Sequence, residues 1–235
     1  MKFSVPVTCS SCGNIFPAEG RAEERFPAAT CPNCEVQIYI FDPLSISVVA
    51  DRLLHRSNRE TIEGDYTLSI ICSAMAVECA LTQVFMKWKD IDHLKSKGGW
   101  GSEEERDGWV KEYRKGTSPG GFERSANFVS MFLCGKQYDE FVSDFVQTSN
   151  TAALIKAGFP QRESQLKATF VHQKLFDRRN RIMHWAKVDY QQEDASSALN
   201  AACNAVAVLK VMDKEKNDAR ERAWRESQNQ PSTTT

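Results

Sequence analysis

A chain of 235 residues can hold one domain of ordinary size plus a small extra module, and 41% hydrophobic residues support a packed core. Thirty basic residues against thirty-one acidic ones leave a formal charge of -1, which excludes a global field that gathers nucleic acid; any such contact has to come from local patches. No apolar run approaches the roughly 20 residues that span a bilayer, and the opening MKFSVPVTCSSC lacks a signal-peptide layout. A cytoplasmic protein with no membrane partner is the expectation.

Four of the eight cysteines fall in the first 34 residues, as Cys9-x2-Cys12 and Cys31-x2-Cys34 separated by eighteen residues. Each pair forms a knuckle whose thiolates point at one tetrahedral ion, and two knuckles complete a closed structural site. In a reducing compartment this pattern reads as a zinc ribbon over residues 1–41, with an iron centre or a redox pair as competing readings. Strand-like runs flank the knuckles, from Phe3 to Val7 and from Val36 to Phe41. A module this small cannot bury enough surface to fold unaided, so structural zinc would supply the missing stability. The ribbon serves either as a cap on the helical domain or a partner, or as an RNA reader.

Asp42-Pro43 closes the ribbon, because proline pushes its predecessor out of the helical region. A helical domain is expected over 42–218 and a flexible tail over 219–235. Residues 44–58 hold a short amphipathic run, and from about Asp65 a long helix follows. Its stripe of Ile70, Ala74, Val77, Leu81, Val84, Trp88 and Ile91 recurs at spacings of four and three. Glu78 lies close to that stripe, where a carboxylate is unexpected. Residues 95–121 carry seven of the twelve glycines and read as a long mobile excursion. Its Trp100, Trp109 and Tyr113 would either stack on bases or pin the loop to the core. Helical rhythm returns from Phe128 to Phe145, with Gly135 as an interruption, and an irregular stretch around Gly158-Phe159-Pro160 follows. A further helix begins near Glu163, and the last carries Ala195, Leu199, Ala202, Val206, Leu209 and Met212.

The penultimate helix contains KLFDRRNRIMHW, residues 174–185. Val171, Leu175 and Ile182 share one ridge, and Arg179 falls on it. A guanidinium on the buried side of a helix costs free energy unless an anion meets it. Phe176, Asn180 and His184 follow at four-residue spacing, so Asn180 and His184 lie one above the other with Arg179 in reach. Such a cluster suits a phosphate. It is also consistent with a structural role, since cations favour a helix C-terminus and Arg179 could bind Glu78 as a buried salt bridge. For His55, His93 and His172, surface or satisfied roles are expected.

An arginine, a polar residue and a histidine in RNRIMH (Arg179, Asn180, His184), set between a penultimate and a final helix, resemble the HEPN superfamily. The resemblance covers about residues 65–215, and Glu78 matches the polar residue that many HEPN domains carry on their long early helix. The glycine-rich insertion is larger than in minimal members, and the ribbon is an accessory of only some. The resemblance implies a mainly α, HEPN-like helical bundle behind a small β zinc-ribbon module. It implies metal-independent cleavage of RNA to a 2′,3′-cyclic phosphate, with His184 exchanging protons, Arg179 stabilising the phosphorane and Asn180 orienting the histidine or the phosphate. Arg178 and Arg181 would bind flanking phosphates. A homodimer with two motifs facing one cleft, and a toxin or phage-defence role under a regulatory protein, are implied as well. The alternative is a non-catalytic module that binds RNA, a nucleotide or a partner protein.

Overall fold

The computed structural model describes residues 2–8, 15–21, 28–35, 37–39, 44–98, 101–118, 121–149 and 162–229. The chain divides into two compact units, Met1–Ser45 and Ile46–Thr235. The division falls four residues after the end expected for the ribbon.

In the first unit β1 (Lys2–Thr8) pairs antiparallel with β2 (Ile15–Arg21), Thr8 opposite Ile15. β3 (Ala28–Thr30) pairs antiparallel with β4 (Gln37–Tyr39), Thr30 opposite Gln37. Between β3 and β4 the chain turns through Cys31–Cys34, closed by Glu35 N donating to Cys31 O at 2.9 Å. Glu35 takes a φ of 58°, the left-handed conformation that lets a chain reverse tightly.

The second unit is helical. α1 (Leu44–Glu63) is longer than the short run expected there. α2 (Tyr66–Lys97) starts where Asp65 accepts from Leu68 N and stops at Gly98, whose φ of 73° suits glycine. The whole stripe read from the sequence, from Ile70 to Ile91, is buried. A buried hydroxyl chain joins α1 to α2: Ser57 lies 2.9 Å from Ser69 and 2.7 Å from Ser73, and Thr61 lies 2.7 Å from Ser69.

Residues 95–121 are not a structureless excursion. α3 (Glu103–Thr117) occupies most of the segment, opened by a capping box between Ser102 and Glu105. The helix docks on α2 through Arg106–Asp90 at 2.8 Å, Lys89–Glu112 at 2.7 Å and His93–Glu105 at 2.9 Å. Trp109 and Tyr113 pack on this core, Tyr113 with its ring centroid 5.5 Å from that of Phe85. The glycines allow close approach: a Cβ on Gly101 would stand 2.3 Å from Trp109, and one on Gly116 2.2 Å from Phe128. Of the two alternatives for these aromatics, pinning is what Trp109 and Tyr113 do; Trp100 lies outside the described residues.

α4 (Phe122–Cys134) ends at Gly135, again left-handed, and α5 (Tyr138–Thr148) follows. The Gly158-Phe159-Pro160 stretch lies outside the described residues. After a 3-10 turn at Glu163–Gln165, α6 covers residues 168–185 in three parts: Ala168–Val171, a π-helical stretch His172–Phe176, and Asp177–Trp185. α7 (Gln192–Asn229) runs past residue 219, where a flexible tail was expected to begin; residues 230–235 lie outside the described ones. α2 and α7 form the centre of the bundle. Asp213 on α7 accepts from Trp88 Nε1 at 2.6 Å and from Lys87 Nζ at 2.7 Å.

Contrary to the expectation from apolar runs, α2 and the stretch Gln192–Ala223 are each long and apolar enough, by length and composition, to cross a membrane. Only Glu78 interrupts the uncharged sequence from Tyr66 to Met86. Both helices are core elements here, with Ile70, Val77, Leu81 and Val84 of α2 and Ala198, Ala202 and Leu209 of α7 buried against neighbours.

Candidate functional site

The π turn sets the angular position of everything after it in α6, because it inserts one residue into the helical repeat. Val171, Leu175 and Ile182 are buried as the ridge required, but Arg178 is the more enclosed guanidinium, at 18% side-chain exposure against 32% for Arg179. Arg178 Nη1 donates to Lys174 O at 2.9 Å and to Asp194 O at 3.0 Å, while Nη2 donates to Asp194 Oδ1 at 2.7 Å. Tyr190 OH donates to Arg178 O at 3.1 Å. Arg178, for which a flanking-phosphate role was expected, thus joins α6 to the start of α7.

Arg179 points elsewhere. Together with Asn180 it lines a cavity of about 340 Å³ whose other walls include Glu78, Tyr113, Gly121, Phe122 and Ser125. Arg179 Nη1 donates to Asn180 Oδ1 at 3.1 Å, and Nη2 stands 3.4 Å from Glu78 Oε1. Asn180 thus accepts from the guanidinium at the cavity wall. The ion pair with Glu78 is present, yet both side chains are part-exposed, so solvent screens it and the cation is not sealed. Gly121, Phe122 and Ser125 belong to the opening of α4, a helix that no side chain caps. Its first N–H groups place partial positive charge at the same cavity as Arg179. Burial pushes the Tyr113 hydroxyl above its ordinary range, with a smaller contribution from the charge of Glu78. That phenol remains protonated at neutral pH.

His184 sits on the last turn of α6, exposed, and does not line this cavity. Arg181 is exposed on the same turn. Around them stand large apolar side chains open to solvent: Trp185 at 76%, with Met183 and Val188 beside it in sequence. Val188 O accepts from Thr67 Oγ1 at 3.3 Å, which ties the segment after α6 to the start of α2. The structure thus brings Arg179, Asn180 and Glu78 together and leaves His184 and Arg181 outside the group they form.

His172, expected in a surface or satisfied role, is met at one nitrogen only. Its Nε2 lies 3.1 Å from Asp177 Oδ1, five residues on, a pairing that the π turn makes and an α-helix would not. Its ring packs on Gly121, where a Cβ would stand 2.5 Å from the imidazole, and its Nδ1 is buried without a hydrogen-bond partner. No spacing rule marks this contact in advance; it exists only once α4 and α6 are docked.

In the first unit, Cys31 is buried and Cys34 partly so, on the turn between β3 and β4. Cys9 and Cys12 lie outside the described residues. Among the described residues no group of three or more metal-ligating side chains occurs. No family model matches the chain, and neither a curated protein nor a solved structure matches it.

Proposed function

We propose that the chain is a HEPN-like, metal-independent endoribonuclease, cytoplasmic and of a toxin or phage-defence kind held in check by a regulatory protein. The single observation carrying this reading is Arg179. It is a guanidinium held by Asn180 in an open cavity, beside the uncapped start of α4, with one partly exposed carboxylate as its ionic partner. A phosphodiester entering the cavity would displace or share the Glu78 contact and receive the forked donors of Arg179. In the reaction the ribose 2′-oxygen bonds to phosphorus, the bond to the 5′-oxygen breaks, and a 2′,3′-cyclic phosphate remains. The 2′-hydroxyl loses its proton to a base, and the leaving 5′-oxygen gains one; His184 fills one of these roles. Arg179 stabilises the charge that develops on the phosphorane.

His184 lies outside the cavity of its own protomer, so the reading requires a homodimer whose two motifs share one cleft. The exposed Trp185, Met183 and Val188 next to the motif support that arrangement, because apolar side chains of this size beside a polar site favour a partner surface. In the first unit the reading is a zinc ribbon with Cys9, Cys12, Cys31 and Cys34 as ligands. Its support is that each Cys-x2-Cys pair falls in the connection of an antiparallel hairpin, one between β1 and β2 and one between β3 and β4. Thiolates in such a pair suit zinc.

The test is incubation of the purified protein with single-stranded RNA in EDTA, at a concentration that leaves structural zinc in place. Wild type is expected to leave 2′,3′-cyclic phosphate ends, and Arg179→Ala and His184→Ala to lose at least about 100-fold in rate with the fold intact. Undiminished cleavage in both variants would sink the reading. The second reading, a non-catalytic binding module for RNA, a nucleotide or a partner protein, is favoured by the separation of His184 from the cavity. It predicts binding without cleavage in wild type.

A further inference from the structure

A second cationic feature lies on α1. Arg52, His55, Arg56 and Arg59 recur at i, i+3, i+4 and i+7, and among the described residues these four line an open cleft on the outer face of the helix. At 1.5 Å per residue the stripe is about 10 Å long. The opposite face of α1 is fixed to α2 by the Ser57, Ser69, Ser73 and Thr61 hydroxyls, which sets the rotation of the helix and points the stripe at solvent.

The stripe is organised from beneath by Glu60, a carboxylate only 6% exposed. Glu60 Oε1 accepts from Arg56 Nε at 3.3 Å and from Arg59 Nη2 at 3.2 Å. One buried anion thus orients two guanidinium groups. Arg56 spends only its Nε on that contact, and its side chain is 54% exposed. Arg52 and His55 make no hydrogen bond or ion pair to any other described residue, so Glu60 does not account for them. Offsetting a buried carboxylate needs one cation or two; the stripe holds four cationic or titratable side chains, two of them uncommitted.

We propose that this stripe is a docking track for the phosphates of a single RNA strand, separate from the Arg179 cavity. The inference rests on the reading of the chain as an RNA-acting protein. Two arginines oriented by Glu60 with a third one helical turn away match phosphate forks better than a diffuse lysine surface does. With a formal charge of -1 over the whole chain, only such a local row can hold a polyanion. α1 and α6 both contact α2, α1 through Ser69 and Ser73, α6 through Glu78. Ser73 and Ser69 lie five and nine residues before Glu78, which places the two contacts on opposite faces of α2, so the track holds its strand independently of the cavity.

The experiment uses the full chain and a 20-nucleotide, fully 2′-O-methylated RNA, which lacks the attacking hydroxyl and so reports binding alone. Affinity is measured by fluorescence anisotropy between about 50 and 200 mM salt, where counterion release dominates. The variant is Arg52→Ala/His55→Ala, which breaks no ion pair, with a thermal midpoint expected within about 2 °C of wild type. Its affinity is expected to fall about five- to tenfold, and its log-log salt slope to flatten by roughly 1. Arg52→Glu is expected to fall further. Wild-type affinity and slope in both variants overturn the proposal, as does a wild type that binds no RNA. Binding to phosphatidylserine vesicles that Arg52→Glu abolishes while RNA binding stays at wild-type strength also overturns it. Stripe-dependent binding by a wild type that never cleaves unmodified RNA keeps the track and removes the nuclease. Cleavage with no stripe dependence does the reverse.

Discussion

The Arg178 guanidinium donates to the Asp194 carboxylate at 2.7 Å, across the junction of α6 and α7, while the next residue, Arg179, turns into an open cavity. Two adjacent arginines thus have separate physical surroundings, one in the bundle and one at the cavity. Arg178→Ala leaves Asp194 and two carbonyl oxygens without their donor. It is expected to cost about 2 kcal/mol in urea unfolding, in the range for hydrogen bonds to charged groups. Arg179→Ala is expected to cost under about 1 kcal/mol, because its pair with Glu78 is screened by solvent. Equal losses in the two variants would contradict the division.

Acid should loosen α3. Glu105 is held down to about 2 by hydrogen bonds from Lys97, from the Ser102 backbone and from His93. Its folded value lies below the ordinary carboxylate value near 4.3, so its contribution is complete above that value. It fades as the pH falls from there through about 2. Trp109, which packs beside His93 with ring centroids 5.8 Å apart, reports the change. Its fluorescence is expected to shift in that window, and Glu105→Gln to flatten the transition.

Assembly is expected to depend on Trp185. Trp185→Asp places a charge where a second copy would bury an indole, and sedimentation should then show a monomer where wild type is a dimer. RNA cleavage is expected to fall with the dimer fraction. A wild type that stays monomeric at tens of micromolar removes the shared cleft.

Zinc removal should act on the two units differently. Wild type is expected to carry one zinc per chain by elemental analysis, and Cys31→Ser/Cys34→Ser none. In that variant the first unit should become protease-sensitive, because a module this small lacks a core of its own. The far-ultraviolet helical signal should persist, since the core of the second unit lies in α2, α4, α6 and α7. Full protection of the first unit without metal would contradict the ribbon.

The long helices were legible because their buried stripes repeat at spacings that only an α-helix satisfies. Asp65 and Gly98 mark the ends of α2 by ordinary capping chemistry. α3 is hidden in the sequence because glycines in and before it read as breakers, whereas Gly101 and Gly116 are small to admit Trp109 and Phe128. The signal that could have found it was Ser102 three residues before Glu105. The nearness of Arg179 to Asn180 and Glu78 was legible; that His184, read as part of the same cluster, does not line their cavity was not. The exchange of depth between Arg178 and Arg179 was not, since no residue pattern announces a π turn. The α1 stripe was open to view at i, i+3, i+4 and i+7, but its meaning depended on seeing Glu60 buried beneath it.

The extra residue held in His172–Phe176 is absorbed in one wide turn, which gives the motif slack in length. Deleting one residue there would let the helix relax to an even pitch while Asp177 to Trp185 keep close to their present facing. The same deletion in an even helix such as α2 has no such slack and swings all that follows through about 100°. A lineage carrying this chain can thus lose a residue at that turn and still present the guanidinium to the cavity.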